Sequence, residues 1–167
     1  MKIVSGNIFK SGADAIVNPV NCEGVMGAGL AKQFAEKYPF NLWAYKAACN
    51  GFLNPGKIVV THFTGSAHVI DKNGIVCNWS FFKRNPSIQQ PIIVNFPTKD
   101  KWKNKSEYGY IESGLRALEM FPKVFNAKSI AIPALGCGLG ELEFEKVAKL
   151  IDNFSKKVNM KVELYKP

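Results

Sequence analysis

The sequence predicts an α/β fold, a three-layer α/β/α sandwich in which a mixed, largely parallel sheet lies between two layers of helices. Short apolar and β-branched segments alternate along the chain with segments whose apolar residues recur at helical spacing. Strand segments such as 15–18 and 91–96 do not alternate between polar and apolar residues, which is typical of strands covered on both faces. The 167 residues, 47% of them hydrophobic, fit a single domain over residues 1–167.

The first third of the chain is predicted to contain two strands followed by two helices. Residues 2–6 form a short strand and residues 15–18 a second one. Apolar residues recur at helical spacing over 29–37, opposite a polar and charged face, and Pro39 is expected to end this helix. A second helix is predicted over 42–49, where an Asn-Gly pair follows.

The middle of the chain is predicted to be mainly β. Residues 57–64 are rich in β-branched side chains and form a strand. Residues 71–74 are a turn signal between two further β segments, 67–70 and 75–79, so a hairpin is expected there. Residues 84–87 are expected to form a loop.

The rest of the chain returns to alternating strands and helices. A buried strand is predicted over 91–96, and a helix with one apolar face over 106–121. A further strand over 129–133 precedes an amphipathic helix over 144–154. Alternating residues over 160–165 predict a last strand.

Two glycine-rich segments follow predicted strands and lead towards helices. They are 24–30 and 136–140. The first is neither a dinucleotide fingerprint nor a Walker A loop, because its glycine spacing is reversed and no Lys-Ser/Thr pair follows at the right place. The first segment alone is explained comparably well by tight strand-to-helix packing. Together the two favour a ligand with two phosphates, since glycine backbones can turn their N–H groups towards an anion.

Polar side chains follow the same strands, at the sheet edge where ligands of α/β folds bind. Asn7 follows the first strand, Asn18 and Asn21 lie at the end of the second, and Lys99 follows the strand over 91–96. We therefore expect most of the candidate chemistry to lie at one edge of the sheet.

Charge favours an anionic partner. Lysine and arginine number 22 against 13 aspartates and glutamates, a formal net charge of +9, so nucleic acid is the leading candidate. The basic segment 99–105 places Trp102 among lysines, as in many sites for single-stranded nucleic acid. No apolar stretch is long enough to span a bilayer and no signal peptide is evident, so a cytoplasmic protein without a membrane partner is expected.

The cysteines and histidines give no metal-site pattern. The four cysteines are far apart and the two histidines are six positions apart, so neither a metal nor a cofactor is expected. Cys22 and Cys137 lie in or beside the glycine segments. Each is either a nucleophile or a small buried side chain, and the second is the commoner case.

Three motifs occur in order along the chain, and together they resemble the macrodomain family. They are Asn18-Pro19-Val20-Asn21-Cys22-x-Gly24-Val25-Met26-Gly27-x-Gly29-Leu30-Ala31, Asn95-Phe96-Pro97-Thr98-Lys99 and Pro133-x-Leu135-Gly136-Cys137-Gly138-Leu139-Gly140. The resemblance extends from about residue 2 into the last helix. It is strongest for the antitoxin branch of the DarT–DarG system, whose macrodomain is a DNA ADP-ribosyl glycohydrolase, and residues 101–103 and 110–115 also match that branch.

The resemblance implies a single macrodomain over residues 1–167 with a cleft for ADP-ribose. It makes Lys99 the catalytic residue that removes ADP-ribose from thymidine bases of single-stranded DNA, reversing a toxin, and makes a DarT-like toxin a candidate partner. Trp102, Lys101 and Lys103 are candidates for contacts with the DNA or its modified base. The residues that it places against ADP-ribose are Asn7, Ile8, Asn21, Val25, Met26, Gly27, Ala28, Gly29, Leu30, Thr98, Gly136, Cys137, Gly138, Leu139 and Gly140.

Several alternatives stay open at this point. Lys99 either stabilises the leaving base as a charged ammonium or attacks the anomeric carbon as a neutral amine. Trp102 either stacks on a base or packs on the following helix. The branch that cleaves ADP-ribose from glutamate carries an Asp where this chain has Gly140, which favours DNA as the substrate. The rival functions are an ADP-ribose reader without turnover and a hydrolase of ADP-ribosyl esters or phosphates on protein or small molecules.

Overall fold

The computed structural model describes residues 1–80 and 90–167, and at its centre lies one mixed sheet. Its spatial order is β1-β8-β7-β2-β6-β3-β4-β5; β1, β8, β7, β2 and β6 are parallel, and β3, β4 and β5 continue the sheet in antiparallel pairings. The strands are β1 (Lys2–Val4), β2 (Ala15–Val20), β3 (Ile58–His62), β4 (Ser66–Asp71), β5 (Gly74–Ser80), β6 (Ile92–Pro97), β7 (Ser129–Pro133) and β8 (Lys161–Tyr165).

Helices cover both faces of this sheet, which confirms the predicted sandwich. The α-helices are α1 (Gly29–Lys37), α2 (Pro39–Cys49), α3 (Tyr108–Leu118), α4 (Phe121–Val124) and α5 (Phe144–Ser155). On one face, Phe34 of α1 and Tyr45 of α2 are fully buried. On the other face, α3 and α5 bury Leu118 and Ile151. The approach of α3 is so close that a Cβ on Gly114 would collide with the Phe96 ring.

A buried amide network joins the helix layer to the sheet. Asn18 Nδ2 donates to Asn95 Oδ1 at 2.9 Å, and Asn95 and Asn41 exchange hydrogen bonds of 2.8 and 3.0 Å. Thr61 Oγ1 donates to Asn41 Oδ1. These side chains are fully buried, so each pairing avoids the cost of a desolvated polar group. Asn18 therefore joins β2 to β6 inside the core. The sequence had suggested a residue at the sheet edge, because Asn18 comes at the end of its predicted strand.

The helix boundaries differ from the sequence expectation at two prolines. Pro39 is the first residue of α2 and does not merely follow α1. The first N–H groups of a helix have no acceptor within it, so proline, which lacks this group, costs no hydrogen bond there. The helix expected over 106–121 is divided into α3 and the short α4, with Pro122 in the first turn of α4. A 3-10 helix at Ile8–Lys10 was not expected. The hairpin of β4 and β5 is confirmed, whereas the loop expected at 84–87 lies outside the described residues.

Candidate active site

A cleft of about 800 Å³ lies at the carboxyl ends of β2, β6 and β7, beside the amino end of α1. Pro19, Thr98 and Pro133 line it from the three strands, and Gly29 and Leu30 line it from the helix. Its volume lies within the range of about 300–1,000 Å³ that is usual for small-molecule sites. The location agrees with the rule that α/β sheets bind ligands beyond the carboxyl ends of their strands.

The first glycine loop is held by the side chain of Asn21. Asn21 Oδ1 accepts hydrogen bonds from the backbone N–H of Glu23 at 2.9 Å and from the Tyr45 hydroxyl at 2.7 Å. Its Nδ2 donates to the carbonyl of Val25 at 2.8 Å. The loop then enters α1 through Gly29, whose φ of +56° disfavours any other residue. The first N–H groups of α1 have no partner within the helix, so this amino end favours an anion.

The second glycine loop is held against Ser106, directly before α3. The backbone N–H of Ser106 donates to the Gly140 carbonyl at 3.1 Å, and that of Leu142 donates to the Gly136 carbonyl at 2.9 Å. A Cβ on Gly140 would collide with the Ser106 side chain, and Gly136 has a φ of +73°. Gly138 differs, because a Cβ there would meet no atom of the described chain within 4 Å, and Gly138 lines the cleft.

Lys99 is positioned by hydrogen bonds that extend the pairing of β2 and β6 past their ends. The N–H of Thr98 donates to the Val20 carbonyl, and the N–H of Cys22 donates to the Asp100 carbonyl, each at 2.9 Å. From this fixed backbone, Lys99 Nζ reaches the second loop and donates to the Leu139 carbonyl at 3.0 Å. The amine therefore lies where the β6 edge meets the second glycine loop.

Trp102 lines the same cleft, and its backbone is bound by Glu23, the residue before the first glycine loop. Its backbone N–H donates to Glu23 Oε2 at 2.8 Å, while its side chain is 52% exposed. Lys103 Nζ lies 5.4 Å from the centre of the indole ring, within cation–π range. Leu139, which also lines the cleft, is 73% exposed. The exposed indole and the exposed Leu139 side chain offer apolar surface to a flat ligand near the Lys99 amine.

The two glycine loops and the Lys99 amine together suit an anionic ligand whose reactive or charged centre lies at the end next to the amine. Two turns of backbone surround one region of the cleft, and a flexible amine stands at its rim. Main-chain N–H groups bind phosphate without a mobile charged side chain. An amine at the rim can stabilise a leaving group or act as a nucleophile.

Comparison with known proteins supports one family. The macro domain model matches residues 17–88 and 73–151. The chain is 33% identical over 168 residues to a DNA ADP-ribosyl glycohydrolase of Mycobacterium tuberculosis, covering 98% of this chain and 41% of that protein. The chain belongs to the macrodomain family.

Solved structures of this family share its fold with high similarity. The macrodomain of Thermus aquaticus DarG superposes with a TM-score of 0.80 at 33% identity, covering 99% of this chain and 97% of that one. A structure described as Thermosipho africanus DarTG in complex with ADP-ribose gives a TM-score of 0.79 at 32% identity, over 99% of this chain and 42% of that one. The chain thus spans about two fifths of the length of the full proteins that it resembles.

The macrodomain cleft brings together most of the residues that the sequence singled out. Met26, Cys137, Lys101 and Lys103 do not line it. Met26 is buried, and its sulfur accepts a hydrogen bond from Asn18 Nδ2 at 3.7 Å. The predicted residues that line the cleft are Asn7, Ile8, Asn21, Val25, Gly27, Ala28, Gly29, Leu30, Thr98, Lys99, Trp102, Gly136, Gly138, Leu139 and Gly140.

The two cysteines beside the glycine loops have the surroundings of packed thiols. Cys137 Sγ donates to the Leu135 carbonyl at 3.5 Å and packs against the core. Burial raises the pKa of Cys137 to about 11 and that of Cys22 to about 12, so both are protonated at neutral pH. A thiol that stays protonated is a poor nucleophile, which favours the packing interpretation of both residues.

Sequence reasoning missed one end of the cleft. Phe9 lines it from the unexpected 3-10 helix, with its ring centre 4.8 Å from that of Phe34. Tyr165 and Lys166 line it because β8 pairs with β1, and the Lys166 N–H donates to the Val4 carbonyl at 3.0 Å. A contact between residues so far apart in the chain has no local signal. The aromatic ring two positions after Asn7 was the one hint available in the sequence.

The described residues also bear on metals and membranes. In residues 1–80 and 90–167, no three His, Cys, Asp or Glu side chains come together in a way that could hold a metal ion. Within the same residues, no helix has both the length and the hydrophobicity needed to cross a membrane.

Proposed function

We propose that this macrodomain, acting as one unit over residues 1–167, binds ADP-ribose and hydrolyses it from thymidine bases of single-stranded DNA. The observation that carries the proposal is the Lys99 amine at the cleft rim, 3.0 Å from the Leu139 carbonyl of the second glycine loop. The names of the relatives support the chemistry, since one is a DNA ADP-ribosyl glycohydrolase and a solved structure contains ADP-ribose. A DarT-like toxin is proposed as the partner whose modification the chain reverses.

In this proposal the cleft binds ADP-ribose along its length. The diphosphate lies between the amino end of α1 and the second glycine loop, where backbone approach is open at Gly138. The adenine lies towards Asn7 and Phe9. Asn7 Oδ1 already accepts the Phe9 N–H at 2.9 Å, and its second lone pair can accept from the adenine amino group. The distal ribose then lies near Asn21 and Lys99.

Lys99 has two chemically consistent roles in breaking the bond between the ribose and the thymine nitrogen. As an ammonium, it stabilises negative charge on the departing base or donates a proton to it. As a neutral amine, it attacks the anomeric carbon, the bond to thymine breaks, and the base leaves with the proton that the amine loses. The ribose ring then opens, its oxygen takes up a proton, and water hydrolyses the Schiff base that results. Either form of the amine can donate the hydrogen bond to the Leu139 carbonyl, and only the neutral form has the lone pair that the second role requires.

The test uses an oligonucleotide that carries one ADP-ribosylated thymidine. We expect the protein to release free ADP-ribose, and Lys99→Ala to slow this release about a hundredfold or more while still binding ADP-ribose. Lys149→Ala is the control, because it removes an exposed positive charge of α5 that does not line the cleft. Undiminished release by Lys99→Ala would remove Lys99 from the chemistry, and binding without release by the natural chain would indicate a reader.

Two further arms separate the remaining alternatives. Turnover of ADP-ribosylated protein that equals or exceeds turnover of modified DNA would assign the chain to ester hydrolysis on protein. Reduction with cyanoborohydride during turnover distinguishes the two roles of Lys99. A covalent ADP-ribose adduct on Lys99 supports the nucleophilic role, and full activity without any adduct supports the ammonium.

A further inference from the structure

A second, smaller hollow of about 270 Å³ lies outside the candidate active site. Three cationic side chains line it: Lys57 before β3, Lys72 in the turn between β4 and β5, and Arg116 of α3. Asn54 and Ser113 add polar groups to its wall. Nothing in the proposed cleavage of ADP-ribose uses these residues.

The hollow lies at the same edge of the sheet as the active-site cleft. β3 is antiparallel to β6, with Val59 opposite Asn95, so the start of β3 adjoins the carboxyl end of β6. β4 is antiparallel to β3, with Ile58 opposite Ile70, which brings the end of β4 to this edge as well. Neighbouring strands are about 4.8 Å apart, so these two strand ends lie roughly 5 and 10 Å along the edge from β6.

The first turns of α3, which include Tyr110, lie between the cleft and the hollow. The pKa of the Tyr110 phenol is raised by partial burial and by the negative charges of Glu107 and Asp100, and Asp100 is the neighbour of Lys99. The Tyr110 carbonyl accepts a hydrogen bond from Ser113 Oγ at 3.2 Å. Ser113 in turn lies against Gly56, at 3.3 Å from the position that a Cβ there would take. The start of α3 therefore lies between Asp100, which follows Lys99, and Gly56, which lines the hollow.

The cations of the hollow are available to an external anion. Arg116 has one acidic neighbour in its helix, Glu112, at 4.0 Å, and both side chains are largely exposed, so this pair is weak. Lys57 Nζ donates to the Phe52 carbonyl at 3.2 Å, which leaves two N–H groups. Among the described residues, one carboxylate lines the hollow: Asp71, which accepts the Asn73 N–H at 2.7 Å within the turn. The local charge is positive, in a chain of net charge +9.

We propose that this hollow binds backbone phosphates of the single strand that flanks the modified nucleotide. The strand leaves the active-site cleft beside Trp102, passes Tyr110, and reaches Lys57, Lys72 and Arg116 one or two nucleotides away. Cations that follow the backbone beside an exposed aromatic ring are the usual construction of single-strand grooves. This inference rests on the proposed function, because it extends the path of that substrate.

The experiment compares two variants that each lose three positive charges. The test variant is Lys57→Gln/Lys72→Gln/Arg116→Gln. The control is Lys2→Gln/Lys123→Gln/Lys149→Gln, whose exposed cations belong to β1, α4 and α5 and do not line the hollow. The substrates are ADP-ribosylated thymidine and an oligonucleotide of roughly ten nucleotides with one such thymidine. Affinity for the same unmodified oligonucleotide is measured at several salt concentrations.

We expect the test variant to lose about tenfold or more in kcat/KM on the oligonucleotide, through KM, and to keep its activity on the modified nucleoside. Its salt slope for the unmodified strand should fall by about 2, since each phosphate contact with a single strand contributes roughly 0.7. Equal losses in both variants, or none in the test variant, would overturn the proposal. So would failure of the natural chain to bind the unmodified strand. Absence of hydrolysis on either substrate instead refutes the proposed function, while the strand-binding arm still tests the hollow.

Discussion

Two glycines of the second loop, only two positions apart, are required for different reasons. A Cβ on Gly140 would collide with the side chain of Ser106, whose Cβ would lie 2.7 Å away. A Cβ on Gly138 would stand in open space at the cleft. One glycine therefore belongs to the packing of the fold, and the other leaves room for a ligand.

The pair Gly138→Ala and Gly140→Ala tests this division. We expect Gly140→Ala to lower the free energy of unfolding by about 1–3 kcal/mol, because it overpacks a rigid contact. Gly138→Ala should leave stability unchanged and weaken ADP-ribose binding by about tenfold, the equivalent of about 1.4 kcal/mol. Chemical denaturation and calorimetric titration measure the two quantities. Loss of stability in Gly138→Ala with intact binding would contradict the assignment.

Glu23 is expected to act on the reaction through Trp102, without contacting the substrate. Its carboxylate accepts the Trp102 N–H at 2.8 Å and so holds the backbone next to the Lys99 segment. Glu23→Ala removes this acceptor, and we expect kcat/KM on the modified oligonucleotide to fall about three- to tenfold while ADP-ribose affinity is kept. Glu23→Gln keeps an acceptor oxygen and should restore most of the activity. If Glu23 acted only through its charge, the two variants would have equal kcat/KM. A change in tryptophan fluorescence in Glu23→Ala alone would show that Trp102 has moved.

Local motifs explain why so much of the cleft could be predicted from the sequence. Lys99 and the two glycine segments each follow a strand directly, so the position of the strand end gives the position of the residue. The direction of individual side chains within a loop has no such signal. Met26 and Cys137 lie within these segments yet turn into the core, and Tyr165 reaches the cleft only through the pairing of β8 with β1.

At the scale of elements, Asp14 joins the start of β2 to the start of β7. Its Oδ2 accepts the backbone N–H groups of Lys128 at 2.8 Å and Ser129 at 3.0 Å. The Lys128 hydrogen bond is the chief cause that lowers the pKa of this carboxyl below its usual 3.8. Because the folded-state pKa is the lower one, ionised Asp14 stabilises the fold above about pH 4, and this contribution disappears as the pH falls through the folded-state pKa.

We expect Asp14→Ala to lower the free energy of unfolding by about 1 kcal/mol at pH 7, a small value because the group is exposed and solvent screens it. The difference from the natural chain should shrink as the pH falls below about 4. Urea unfolding between acid and neutral pH measures it. Asp152→Ala is the control, since it removes a partly exposed carboxylate that forms an ion pair with Lys156 one helical turn away and joins no two strands, and its effect should be smaller. A constant difference across this pH range would refute the assignment.

The type of each helix or strand was predictable because hydrophobic periodicity is a local property of the sequence. Its ends were predictable only where the residue at the boundary is compatible with a single conformation. Pro39 is compatible with both the end of one helix and the start of the next, and the structure uses it for the second. The division of the expected 106–121 helix is similar, since apolar residues continue at helical spacing into α4 although the backbone turns before it. In each case tertiary packing decides between conformations that the sequence allows.

For the whole molecule, alternation of strands and helices predicted the layers but not the strand order. β8, the last strand, lies between β1 and β7, and β3 joins the sheet antiparallel to β6. This order brings the turn between β4 and β5 to the same edge as the active-site cleft. No local pattern indicates this placement, because the pairing of distant strands depends on the complete set of helices that cover them.

Net charge leads to a prediction that concerns the whole surface. The excess of 9 positive charges should attract a DNA strand over a large area, whereas free ADP-ribose is proposed to occupy the cleft alone. Affinity for the modified strand should therefore fall steeply as salt rises. The logarithm of the binding constant should fall with the logarithm of the salt concentration by about 0.7 for each phosphate of the single strand that is bound. Affinity for ADP-ribose should change much less, because in the proposed binding mode its diphosphate is bound by backbone N–H groups. Fluorescence anisotropy of a labelled strand, alongside calorimetry with ADP-ribose, gives both slopes under the same conditions. Equal slopes would mean that the positive surface outside the cleft takes no part in binding, and the substrate would then be sought among small or proteinaceous ADP-ribose conjugates.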